Sequence, residues 1–217
     1  MKYGESAFDI LYLLLAISMG IAMLRQARDA AGRKMGLATL ILGLGDAFHL
    51  VPRVLNYFSA ADFTAALGLG KLVTSLTMTA FYVLMYYIWL DSFREQENRR
   101  WTAAVWLMAL VRLLLCLLPQ NRWIQNESSP LWGVLRNIPF AALGVLIVLL
   151  YFRIRKRDRH FRWVWLLVTL SFLFYLPVAV GAGVIPMLGM LMLPKTVCYI
   201  LLIFAFRAAV REKASDA

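Results

Sequence analysis

Seven long apolar stretches, joined by connections too short to hold a separate domain, leave this chain few ways to fold. They cover roughly residues 8–24, 35–57, 66–90, 101–119, 131–152, 162–183 and 185–206. A helix needs about 20 mostly apolar residues to cross the hydrocarbon layer of a bilayer. Within that layer every backbone N–H and C=O must be satisfied inside the protein, which a helix achieves on its own. The expectation is an all-α, polytopic integral membrane bundle of seven transmembrane helices, with residues 1–217 forming one domain. Composition agrees: 62% of the residues are hydrophobic, against about 45–50% in soluble domains.

The first stretch, Phe8 to Leu24, is not read as a cleaved signal. Glu5 and Asp9 stand where a basic flank belongs, and no small-residue cleavage pattern follows.

The net charge of +11 would suit nucleic acid if the basic residues formed one patch. They do not. Sixteen of the 23 lysines and arginines fall in residues 25–34, 91–100, 153–162 and 207–213, and the alternate loops hold only Lys2 and Arg122. That strict alternation follows the positive-inside rule and predicts an N-terminus outside and a C-terminus in the cytoplasm. The terse loops suit a plasma membrane, as in a prokaryotic inner membrane. Membrane lipids are the expected surroundings, with anionic headgroups attracted to the basic loops. Nucleic acid is excluded as a partner, and a homo-oligomer is compatible with the pattern.

The two cysteines, Cys116 and Cys198, lie in apolar stretches, and one of the two histidines, His160, is in a basic loop. These are too few and too scattered for a disulfide framework or a metal cage. No metal site and no cofactor is expected.

Charge inside an apolar span is costly and by default marks function. Asp46, His49 and Arg53 share one face of the second stretch, continued by Asn56 and Tyr57. Lys71, Ser75, Tyr82 and Tyr86 form a stripe on the third, Arg112 lies in the fourth, Arg136 in the fifth, and Lys195 and Tyr199 in the seventh. Placed by depth, all these charges are at or outside the midplane, and Asp46 is the only deep acid. The expectation is an outward-facing basic pocket lined by Arg53, Lys71, Ser75, Tyr82, Arg112, Arg136, Lys195 and Tyr199. Such a cation excess calls for an anionic ligand, which planar guanidinium groups recognise well. Pro194 is expected to interrupt the seventh helix beside Lys195.

Plainer readings exist for single residues. Arg53, Lys71 and Arg136 lie within snorkelling reach of the interface. Asp46 and Lys195 fit a structural ion pair, and His49 and Asn137 fit links between packed helices. Trp101, Trp123, Trp132 and Trp163 fit interfacial anchors.

Four functions compete. The favoured one is binding or transport of an anionic small molecule or anionic lipid. The second is a membrane-embedded lipid-modifying enzyme, hydrolase or transferase, in which Asp46 orients His49 as a general base. The third is a retinal-type photoreceptor. Seven helices with a lysine midway along the last are similar to a microbial rhodopsin, but Leu191 stands one turn before Lys195 where that family has an acid. Only Asp46 remains there as a counter-ion. The fourth is a scaffold with no small ligand.

Overall fold

The computed structural model describes residues 2–127, 129–181 and 185–215. Its helices are α1 (Lys2–Gln26), α2 (Ala30–Phe58), α3 (Thr64–Phe93), α4 (Arg99–Leu117), α5 (Pro130–Ile154), α6 (Val164–Gly181) and α7 (Met192–Ser215). Short 3-10 turns precede α5, at Pro119–Asn121, and α7, at Pro186–Leu191. No strand occurs among the described residues. Seven helices are long and apolar enough to cross a membrane. The last two residues of the sixth predicted stretch, 182 and 183, lie outside the described residues.

Short polar residues set several helix ends. Asp29 caps α2 by accepting from the Gly32 N–H at 2.8 Å, and Asn98 caps α4 by accepting from the Arg100 N–H at 2.9 Å. α3 ends at Arg94, which takes the left-handed conformation common at helix C-termini. Pro130 opens α5 at a position where its missing N–H is harmless.

The helices form a closed ring in chain order, with α7 packing back on α1 and α2, and α3 reaching across to α5. The α1–α2 and α2–α3 hairpins are the most extensive contacts. Large apolar side chains such as Leu14, Leu107, Leu114, Leu149 and Leu173 point out of the ring. Tyr82, Tyr86, Tyr151 and Phe206 fill its interior. In lipid the outward leucines gain nothing by burial, so close packing and polar contacts must hold the helices together.

Gly70 shows how tight that packing is. A Cβ there would stand 2.2 Å from the Phe48 carbonyl oxygen and 2.7 Å from the His49 Cα. Pro52, inside α2, has no N–H to give that carbonyl. Only glycine lets the α3 backbone come close enough to cover it. On α5, Gly144 likewise meets the Phe172 ring of α6.

The seventh helix corrects one expectation. Pro194 does not interrupt it. α7 begins at Met192, so Pro194 sits in the first turn, where no intrahelical acceptor awaits its N–H. Lys195 is therefore carried at the start of a continuous helix, beside the 3-10 turn.

The end of the bundle formed by the α1–α2, α3–α4 and α5–α6 connections and the end of α7 is laced by ion pairs. Lys34 pairs with Asp91 at 2.5 Å, Arg157 with Glu95, Arg159 with Glu212 at 2.8 Å, and Lys213 with Asp29 at 2.8 Å. His160 meets Glu212 at 2.5 Å. This basic end is thus structurally tied together. Part of the basicity is used to join elements, besides any role in orientation.

Candidate functional site

The charged residues of the spans gather in the half of the bundle away from the basic end, and they divide into three groups.

The first is the α1–α2 wall. Antiparallel packing sets Tyr12 opposite Asp46, and the Tyr12 hydroxyl donates to Asp46 Oδ2 at 2.7 Å. The same register brings Glu5 to Arg53, whose Nη2 donates to Glu5 Oε2 at 3.0 Å, with Asp9 Oδ2 4.0 Å from Nη1. The Tyr57 hydroxyl donates to the same Glu5 oxygen at 2.9 Å. Arg53 is therefore neutralised by two acids, which changes the expected balance of five cations against one carboxylate. Sequence reasoning left Glu5 and Asp9 at the edge of the first span. Asp46 and His49 are not joined: Asp46 turns to Tyr12, while the His49 ring reaches toward the Leu67 backbone of α3. His49 Nδ1 is buried without a partner.

The second group is the α4–α5 connection, which folds over this end of the bundle. Asn121, fully buried, donates to the Leu115 and Leu118 carbonyls at 2.7 and 3.0 Å, satisfying acceptors at the α4 terminus. The Trp123 indole N–H donates to the Cys116 carbonyl at 2.8 Å. Gly68 of α3 packs so closely that a Cβ would stand 1.6 Å from the Trp123 carbonyl oxygen. Arg136 Nη1 donates to Asn121 Oδ1 at 2.7 Å, and the guanidinium lies 4.5 Å from the Trp123 ring centre. Lys71 Nζ donates to Asn126 Oδ1 at 2.8 Å. Two of the predicted ligand cations thus hold this loop, and Trp123 is a structural partner as well as an aromatic at a span end. The Ser75 hydroxyl donates to the Lys71 carbonyl at 2.8 Å on its own helix.

The third group is different in kind. Arg112 of α4 is 2% exposed. Its guanidinium lies 3.2 Å from the Phe140 ring centre, with the Cys116 thiol one turn along within reach and Tyr175 and Tyr199 nearby. Nε and Nη1 are buried with no hydrogen-bond partner among the described residues. Lys195 Nζ lies over the rings of Tyr175 and Tyr199, at 5.0 and 5.5 Å, and makes no hydrogen bond among the described residues. It is within charge–charge range of both Arg112 and Asp46, with no direct ion pair to Asp46. Tyr82 and Tyr199 meet hydroxyl to hydroxyl at 3.1 Å, with Ser171 beside them. Tyr175 donates to Asn137 Oδ1 at 2.8 Å, and Asn137 Nδ2 donates to the Gly133 carbonyl at 2.8 Å. The three tyrosine hydroxyls of this group are thus committed, while Lys195 Nζ and Arg112 Nε and Nη1 have no hydrogen-bond partner among the described residues.

No protein-family model, curated protein or solved structure matches this chain.

Magnitudes separate the third group from the first two. A buried donor left without a partner costs about 1–3 kcal/mol, and more when it is charged. A desolvated cation over an aromatic face recovers about 2 kcal/mol. Phe140 therefore does not compensate Arg112 for two unpartnered nitrogens. Arg53, Lys71 and Arg136 carry no such deficit. Among the described residues no group of three His, Cys, Asp or Glu side chains is placed to hold a metal ion. Of the predicted ligand set, the structure brings Arg112, Lys195, Tyr199 and Tyr82 together with Asp46. It sets Arg53, Lys71 and Ser75 apart, while Arg136, bonded to Asn121, stands at the edge of the cluster within charge range of Cys116 and Tyr175. Tyr175, Phe140 and Asn137 join the cluster as residues outside the predicted set, Asn137 bonded across helices to Tyr175 as a link between packed helices.

Proposed function

We propose that this protein binds an anionic small molecule or anionic lipid within the membrane, at Arg112 and Lys195, as a binding or transport protein. The observation that carries this reading is the Arg112 guanidinium, held in the bundle with Nε and Nη1 unpartnered. A carboxylate, sulfate or phosphate oxygen supplies the missing acceptor in the bidentate geometry a guanidinium favours. Lys195 of α7, without a hydrogen bond among the described residues and within charge range of Arg112, supplies the second charge.

The orientation belongs to the same proposal. With the basic end in the cytoplasm, as the alternating loops imply, the site lies in the outer half of a plasma membrane. The α4–α5 connection then covers it on the outside.

The test is thermal unfolding of the detergent-purified protein with benzoate and phenyl sulfate, against benzyl alcohol as a neutral control. Ligand that binds only the folded state raises stability by about 2.7 kcal/mol at a hundredfold excess over Kd. The wild type should respond to the anions and not to the alcohol, and Arg112→Met should respond to neither. A response to the anions that Arg112→Met retains in full would rule out this site.

A further inference from the structure

Asp46 stands where an anion on Lys195 would be felt. It is half-buried, its Oδ2 accepts from the Tyr12 hydroxyl at 2.7 Å, and its carboxylate takes no other hydrogen bond among the described residues. Lys195, also half-buried, lies within charge range of it, with no direct ion pair. The elements packed against Asp46 add further groups. α1 brings Tyr12 and Asp9, and α7 brings Lys195 and Tyr199. α2 itself carries His49 and, beyond it, Arg53. α3 brings the neutral Thr74 and Thr77 against Gly45, and Lys71, which keeps its charge on the neutral Asn126 amide, beyond His49. Arg112 is within charge range of Lys195, and Arg136 of Cys116 and Tyr175.

We propose that the site binds its anion together with a proton, and that Asp46 is the residue that takes the proton. The inference rests on the anion-binding reading of Arg112 and Lys195. Without ligand, the Lys195 ammonium is the cation that acts most strongly on the Asp46 carboxylate. An anion seated on Lys195 turns that ammonium to itself and sets a second negative charge near Asp46. A like charge disfavours an ionised carboxylate, and a proton relieves the repulsion. Arg53, Lys71, Arg112 and Arg136 carry the same charge before and after, so they shape the resting field and not this change in it. By linkage, the proton that the anion draws in also tightens the hold on the anion.

The geometry singles out Asp46 among the acids of this half of the bundle. Its bond to Tyr12 holds it near Lys195 without closing an ion pair that would shut a ligand out. Being half-buried, it is open to proton exchange, whereas Asp9 is 5% exposed and Glu5 is bonded to Arg53 and Tyr57. His49 is the other group here able to take a proton, and Lys71, Arg53 and Lys195, three cations, lie within charge range of it.

Phenyl sulfate keeps its single charge at every pH used, so any pH dependence of its binding belongs to the protein. Calorimetric titration of the full chain in detergent, from about pH 5 to about pH 8, spans the range of buried carboxyl groups. Repeated in buffers of different ionisation enthalpy, it reads affinity and proton uptake together. A proton taken up on binding means tighter binding as pH falls. The wild type should take up a proton within this range, with Kd falling by up to about tenfold per pH unit. Asp46→Asn, which keeps an acceptor for Tyr12, should bind phenyl sulfate about tenfold more tightly than the wild type at about pH 8, the scale of one nearby like charge removed. It should also take up no proton and lose the pH dependence. His49→Gln should leave the uptake in place. Asp46→Ser serves in place of Asp46→Asn should the latter unfold, with circular dichroism as the check on folding, and the wild-type uptake needs no variant. Phosphatidylglycerol, a singly charged phosphodiester lipid, should displace phenyl sulfate if the natural ligand is a lipid and leave it bound if the ligand is a soluble anion. Phenyl sulfate bound with no proton uptake at any pH, or uptake retained in the folded Asp46 variants, would overturn the coupling and leave the anion site standing. Uptake lost in His49→Gln would move the proton to His49 and overturn the role of Asp46. Failure of phenyl sulfate to bind the wild type at any pH would overturn the anion site itself.

Discussion

Arg53 and Arg112 are both arginines in apolar helices, in the same half of the bundle, and the fold treats them in opposite ways. Arg53 is met by Glu5 and Asp9, from a helix 48 residues earlier in the chain, and becomes part of the α1–α2 joint. Arg112 is more deeply buried and meets a ring, a thiol and no acid. A buried charge with its counter-charge supplied is architecture. A buried charge without one is an unfinished interaction, and the physical reading of the molecule turns on that difference. Lys71 and Arg136 share with Arg53 that they are hydrogen-bonded, here to the neutral Asn126 and Asn121 amide oxygens of the α4–α5 connection.

The sharpest way to break this comparison is to replace both arginines with methionine. Arg112→Met should weaken binding of phenyl sulfate by about 100-fold, the loss of one or two charge-assisted hydrogen bonds at about 1.5–3 kcal/mol each. The stability of the ligand-free protein should hold or rise, because an uncompensated charge is replaced by an apolar chain of similar length. Calorimetric titration and thermal unfolding read the two effects separately. If Arg112→Met destabilises the ligand-free protein strongly, the guanidinium is structural and the comparison fails.

Gly70→Ala tests whether the register that positions Asp46 depends on the α2–α3 contact. The new methyl meets backbone at Phe48 and cannot be relieved by a side-chain rotation, so a loss of about 1–3 kcal/mol is expected. Denaturant unfolding checks it.

Arg53→Met should show the opposite pattern to Arg112→Met. Leaving Glu5 and Asp9 without their cation should cost about 1–2 kcal/mol of stability, less than a fully buried pair because the group is partly exposed. Binding of phenyl sulfate should change by no more than a few fold. Thermal unfolding and the same titration measure both.

The smallest effect lies at the basic end. Burial tends to raise the Asp29 carboxyl, but the Lys213 ammonium at 2.8 Å and the Gly32 N–H outweigh it and hold the group below the usual carboxylate range. A depressed acid contributes stability that is present above its unfolded pKa, about 3.9, and is lost as pH falls below that. Both partners are partly exposed, so the contribution is about 0.5 kcal/mol. Lys213→Met should remove most of that acid sensitivity in unfolding measured from neutral pH downward.

The seven helices were legible because span length and apolarity are local properties, read without knowing any neighbour. Connection lengths follow from the same information, whereas the closing of the ring by α7 on α1 and α2 does not. Pairings across helices were not legible in the same way. Depth alone put Asp9 at an edge, yet the register that sets Tyr12 opposite Asp46 also sets Glu5 opposite Arg53, one step of seven residues along each helix. A single known contact would have given the other. The α4–α5 connection was hidden for another reason. Asn121, Trp123 and Asn126 read as an ordinary loop, and nothing local shows that Asn121 and Trp123 turn to the carbonyls at the end of α4 while Asn126 meets Lys71 of α3. Pro194 was placed inside a helix because the apolar run continues before it. The structure uses that run as a 3-10 turn and starts α7 at Met192. Arg112 and Lys195, by contrast, stood out from depth alone, since snorkelling explains them less well than Arg53, Lys71 or Arg136.

The most direct measurement of the central claim is anomalous scattering from crystals grown with 4-bromobenzoate, a singly charged aromatic acid. The account predicts a bromine peak beside Phe140 and Tyr175, with the carboxylate hydrogen-bonded to Arg112 Nε or Nη1 and facing Lys195. Arg112 fully satisfied by protein groups or ordered water, with bromine only at the basic end of the bundle, would contradict it.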